Sequence, residues 1–203
     1  MVNKKEIEQL RQALLAAKDE QGAAMVANMH SEITVYPQRF LPKYRIYRVL
    51  YYSPYKPILL YLGFAPGLPL YSLAGNPEAF LHMAQADGVD LVSLDMAINY
   101  VSVFLEVTRN MYELVYQVNS VDQLRFIPRL SPAQLEAKEA LVEKYRSALT
   151  SPTGEVTADG YTIVAHVTRQ QELERHTLKV HRNGEMASEI AVIEQDMPLV
   201  FGI

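Results

Sequence analysis

Apolar positions recur at helical spacing near the N-terminus, where Ile7, Leu10, Leu14 and Ala17 fall on one face and Ala24, Met25 and Met29 continue the series. Asn3 followed by Glu6 has the form of a capping box. The spacing predicts a long helix over 4–29, bent or divided at Gly22. From Tyr44 the period changes to two. The run YRIYRVLYY is rich in Tyr, Val and Ile, which favour a strand, and it sets Tyr44, Ile46, Arg48, Leu50 and Tyr52 on one face. Arg45, Tyr47, Val49 and Tyr51 share the other. Ile58 to Phe64 is nearly continuous apolar sequence, as in a strand covered on both sides. Ala65–Pro66–Gly67–Leu68 has turn chemistry, and 70–74 alternates again, so 44–74 is expected to form a three-stranded antiparallel piece.

Asn76–Pro77 starts a short helix that Asp87–Gly88 ends. Leu94, Ala97, Ile98, Val101, Phe104, Leu105 and Thr108 are spaced as a helix capped by Ser93. Residues 112–118 alternate as a strand. Ser131–Pro132–Ala133–Gln134 opens a helix that reaches about 149. Beyond it come three β-rich runs, 161–168, 173–182 and 185–193, the last two joined by Asn183–Gly184, a strong hairpin signal. The order contains no regular strand–helix–strand alternation. The expected class is α+β: a mostly antiparallel sheet packed against several helices, with a long N-terminal helix and a C-terminal three-stranded β-meander. A single domain over 1–203 is expected. Its one internal break lies near 150–155, between a helix-rich part (1–150) and the meander (155–203). The apolar C-terminal residues 198–203 are expected to be docked.

Composition supports a packed core, since 49% of the 203 residues are apolar. The absence of cysteine removes disulfides, thiolate zinc sites, iron–sulfur clusters and cysteine nucleophiles. Acidic residues interrupt the first apolar positions, unlike a signal peptide, and no apolar run approaches the roughly 20 residues that span a bilayer. A cytoplasmic protein without a membrane span is expected.

Charge changes the picture. Residues 33–77 contain no Asp or Glu but hold Arg39, Lys43, Arg45, Arg48 and Lys56, with eight of the 13 tyrosines. The segment carries +5 in a chain of net charge −4, leaving 14 basic and 23 acidic residues elsewhere. Arg beside Tyr binds phosphates, carboxylates and stacked bases, and equally makes ordinary cross-strand and cation–π contacts. The candidate ligand- or partner-binding residues are therefore Lys43, Arg45, Tyr47, Arg48 and Tyr51. Arg45 and Arg48 lie on opposite faces of one strand, so one is expected to be paired internally and the other to meet a partner.

Other chemistry is thin. None of the five histidines has metal-ligand spacing. His166 and His176 are expected on opposite faces of a hairpin, solvated beside Glu174 and Arg175. His82, Asp87, Asp90 and Asp95 contain the groups for acid–base work, but Asp at helix ends more commonly bonds local backbone. Glu194 and Asp196 suit surface pairing. No nucleophile elbow, Walker loop or dinucleotide fingerprint occurs. No catalytic residue, metal or cofactor is expected. The leading expectation is a non-enzymatic protein-interaction or adaptor module that self-associates, as abundant Tyr, Arg and Met suit interface cores. The alternative is a pocket for a small anionic ligand between sheet and helices, enzymatic or not. Nucleic acid is a weaker expectation, given the acidic balance.

Overall fold

The computed structural model describes residues 2–53 and 56–201. The fold is α+β, with helices and two antiparallel sheets. The chain divides into two compact units, 1–89 and 90–203.

The first unit begins with α1 (Lys4–Ala16), whose Asn3 and Glu6 form the reciprocal capping box. The helix is interrupted before Gly22. Lys18 turns into the left-handed region (φ 62°), and Asp19 then caps α2 (Glu20–Ala27) by accepting the Gly22 N–H. A new N-cap thus forms where the apolar spacing predicts continuity.

A four-stranded sheet follows in the order β1 (Ser31–Tyr36), β2 (Arg45–Tyr52), β3 (Pro57–Phe64) and β4 (Tyr71–Ser72), all antiparallel. The face bearing Tyr47, Val49, Leu62 and Phe64 packs with Leu10, Leu14, Ala23 and Val26 of the two helices. One end of the opposite face is also buried, at Ile46 and Tyr61. There α3 (Pro77–Asp87), capped by Asn76, comes so close that a Cβ on Gly63 would collide with the Met83 sulfur. Asp87, itself buried, accepts the backbone N–H groups of Lys43 and Tyr44 at 3.0–3.2 Å and fixes the approach to β2.

In the second unit, α4 (Leu94–Val107) is capped by Ser93. The sheet runs β5 (Val115–Val118), β7 (Gly160–Arg169), β8 (Glu172–His181), β9 (Met186–Glu194), and β6 (Thr153–Thr157) pairs the other end of β7. The hairpin between β8 and β9 turns at Gly184 (φ 84°), a backbone state open to glycine. Its carbonyl accepts the buried Tyr100 hydroxyl at 2.7 Å. Tyr161, Ile163, Ala165, Val167, Leu178 and Val180 occupy one buried face. Leu94 of α4 lies against Gly154 of β6, opposite Ile163 on that face. At one end of the other face α5 (Pro132–Tyr145), which has the expected capping box, packs Leu141 and Tyr145 with Val118, Leu173, Met197 and Leu199. The C-terminal segment is docked through Leu199, which bridges to Phe126. Gly202 and Ile203 lie outside the described residues.

Candidate functional site

Strand β2 places the predicted site residues as its alternation requires. Arg45 and Tyr47 lie on the face packed against α1. The Arg45 guanidinium is half exposed, ion-pairs with Glu6 at the start of α1, and lies 5.8 Å from the Tyr47 ring centroid. Tyr47 is buried against Phe64, at 6.2 Å between rings, and burial raises its hydroxyl pKa. Tyr51 is half-buried further along this face. Lys43 precedes the strand; its N–H is held by Asp87 while its side chain is exposed.

Arg48 lies on the opposite face, directly across from Thr34 of β1 and Tyr61 of β3. It is half-buried, and its guanidinium has no hydrogen bond or ion pair among the described residues. The strand thus separates the two arginines, one satisfied by a helix carboxylate and one not. Five of the eight tyrosines of the acid-free segment are used in packing: Tyr44, Tyr47 and Tyr61 are buried, Tyr36 meets Tyr61 edge-on at 5.7 Å, and Tyr71 meets Tyr44 at 5.6 Å. Tyr55 lies outside the described residues.

The second unit contains a partly buried polar network that sequence reasoning missed. Glu174 and His176 are each only 5% exposed, and the Glu174 Oε2 to His176 Nε2 distance is 2.7 Å. Glu174 Oε1 accepts from Arg169 Nε at 2.9 Å, and Arg169 donates a second bond to Glu113, also at 2.9 Å. Burial pushes the Glu174 carboxyl up, but the bonds from His176 and Arg169 outweigh it and hold the pKa below its ordinary value. Burial likewise opposes charge on Arg169, and its two carboxylate partners overcome that. His166 faces the other way, opposite Arg175; burial and that charge lower its pKa. The expectation of a solvated His176 is corrected: its alternation with Leu178 and Val180 puts it on the packed face, and Glu174 compensates the burial. Both oxygens of Glu174 are engaged, one by Arg169 and one by His176. Among the described residues, no group of three or more His, Cys, Asp or Glu could hold a metal ion.

The third feature is the edge of that sheet. β9 pairs with β8 on one side, and its other side is the end of the strand order. Edge strands in stable proteins are usually blunted by Pro, charged side chains (Lys above all), shortness or a bulge. β9 is nine residues long, MASEIAVIE, without Pro, Gly or Lys. Its register irregularity falls opposite Leu173/Glu174, at its C-terminal end, where Tyr145 donates to the Ile193 carbonyl and Lys144 meets Glu194 at 2.5 Å. From Met186 to Val192 the strand is regular, with Ile190 52% and Val192 45% exposed on one face. The alternation of 186–193 was visible in the sequence; its position at an edge was not.

No protein-family model, no curated protein and no solved structure matches this chain.

Proposed function

We propose that the protein is an interaction module and that β9 is its docking element. The observation that carries this reading is the long, regular edge from Met186 to Val192, whose one charge is Glu189 and which offers unpaired backbone groups beside the exposed Ile190 and Val192 side chains. An extended segment from another chain gains main-chain hydrogen bonds along such an edge and apolar contacts from alternate side chains. A photo-crosslinking residue at Val192 should trap a protein chain in producing cells, and Ile190→Lys should abolish the adduct. The same probe at exposed Ala137 of α5 is the control. Absence of a Val192 adduct refutes the docking role.

A second reading rests on Arg48. A half-buried guanidinium without a partner, between Thr34 and Tyr61, is suited to a small carboxylate or phosphate. Arg48→Ala should leave thermal stability nearly unchanged and remove calorimetric binding of such an anion. A large stability loss would instead assign Arg48 to the fold.

A further inference from the structure

We infer that the occupant of the β9 edge is a second copy of this chain, paired antiparallel about a two-fold axis through Ile190. The inference rests on the docking role just proposed for β9 and adds the identity of the partner.

Charge and register carry it. Between Met186 and Ile193 the one charged residue is Glu189. An axis through Ile190 sets Ile190 of one copy against Ile190 of the other, Ser188 against Val192, and Glu189 against Ala191. On one face, the exposed Ile190 and Val192 side chains of both copies then form a continuous apolar cluster. A two-fold contact of this kind is self-complementary and closes at two chains.

On the other face the neighbouring strand supplies the complement. Arg175 of β8 pairs in register with Ala191, and Thr177 with Glu189. In the paired state a cross-strand row therefore runs from Arg175 over Ala191 to the Glu189 of the other copy. Two strand spacings separate the ends of that row, roughly 10 Å. The intervening side chain is a methyl group, so a long guanidinium can cross it to a glutamate. Symmetry makes the same contact twice. Arg175 and Glu189 are both exposed, and neither has a hydrogen bond or ion pair among the described residues. Thr177, beside Glu189, adds no charge. An acidic partner strand would meet Glu189 unfavourably, and a strongly basic one would meet Arg175 and Lys179, both exposed on β8. A second copy presents Arg175 and Glu189 to each other twice and brings no further cation to Lys179, which pairs with Ala187.

The absence of cysteine makes the test direct. In the full chain, Ile190→Cys should form a disulfide-linked dimer under mild oxidation, because the two side chains meet on the axis, whereas Ala187→Cys should do so far less. Sedimentation equilibrium of the unmodified chain should give twice its 23.0 kDa mass. Arg175→Glu should weaken the dimer about tenfold, and adding Glu189→Arg should restore it. Ile190→Lys should give a monomer with unchanged circular dichroism. A monomeric parent chain overturns the inference, as does a dimer indifferent to Ile190→Lys or a charge swap without restoration. If the parent is monomeric but the Val192 probe captures a different chain, the second-copy inference fails and the docking role stands. If the probe captures nothing either, both fail.

Discussion

Glu174 is a carboxylate inside a sheet, with an arginine on one oxygen and an imidazole on the other. Removing Glu174 leaves Arg169 with Glu113 alone and the buried His176 ring nitrogen without its partner, and a buried polar group left unmet costs about 1–3 kcal/mol. Glu174→Ala should therefore lower stability by about 1–3 kcal/mol in chemical denaturation. The pH dependence has a definite sign. The folded pKa lies below the ordinary 4.5, so the stabilisation is present above 4.5 and is lost as pH falls through the folded value. The parent should lose stability on acidification below that point, and Glu174→Ala should lack that component. A parallel acid profile in the two proteins would contradict the assignment. At this scale the sequence was partly legible. Strand alternation put Arg45 and Arg48 on opposite faces, as they lie. It did not show which arginine meets a carboxylate, since Glu6 is 39 residues away from Arg45 and comes near through the packing of α1. Asp87, one of a cluster with acid–base potential on paper, binds backbone N–H groups 43 and 44 residues earlier.

Elements with local start and stop signals formed where those signals stand. Capping boxes open α1 and α5, Asn76 and Ser93 cap α3 and α4, and Asn183–Gly184 turns the last hairpin. Two strands escaped the sequence pattern. β1 precedes the tyrosine-rich run and is short, and β6 begins in Ser151–Pro152–Thr153–Gly154, whose composition marks a boundary. Both pair with a neighbour strand, and Ile33, Thr34, Val35 and Tyr36 of β1 are themselves strand formers. Gly154 shows what the pairing of β6 requires. A Cβ there would stand 2.6 Å from the Thr162 carbonyl oxygen and 3.2 Å from Leu94 of α4. Gly154→Ala should therefore destabilise the protein by about 1–3 kcal/mol in thermal or denaturant unfolding. An unchanged midpoint would show that β6 can retreat from the helix. For β9, the sequence supplied alternation and a turn, while its proposed docking role depends on its standing last in the strand order of the described residues.

Over the whole molecule, the contrast between an acid-free segment and an acidic remainder resolves into packing. Tyr44, Tyr47 and Tyr61 of the segment lie in the core of the first unit, Tyr36 and Tyr71 pack against them, and Arg45 is neutralised by Glu6. Buried rings cannot act as stacking platforms for bases. We expect no salt-sensitive binding of single-stranded oligonucleotides, measured by fluorescence anisotropy over a salt series; a linear loss of affinity with rising salt would contradict this. No helix among the described residues is long and apolar enough to cross a membrane. The sequence by itself determined the α+β class, the caps and turns, and which side chains share a face, because these follow from interactions within a few residues. Only the tertiary structure decided that the strands form two sheets, that His176 is enclosed, that Arg48 has no carboxylate partner among the described residues, and that β9 stands at the end of its strand order. Each depends on which distant segment arrives beside a strand, and one sequence read alone does not specify long-range pairing.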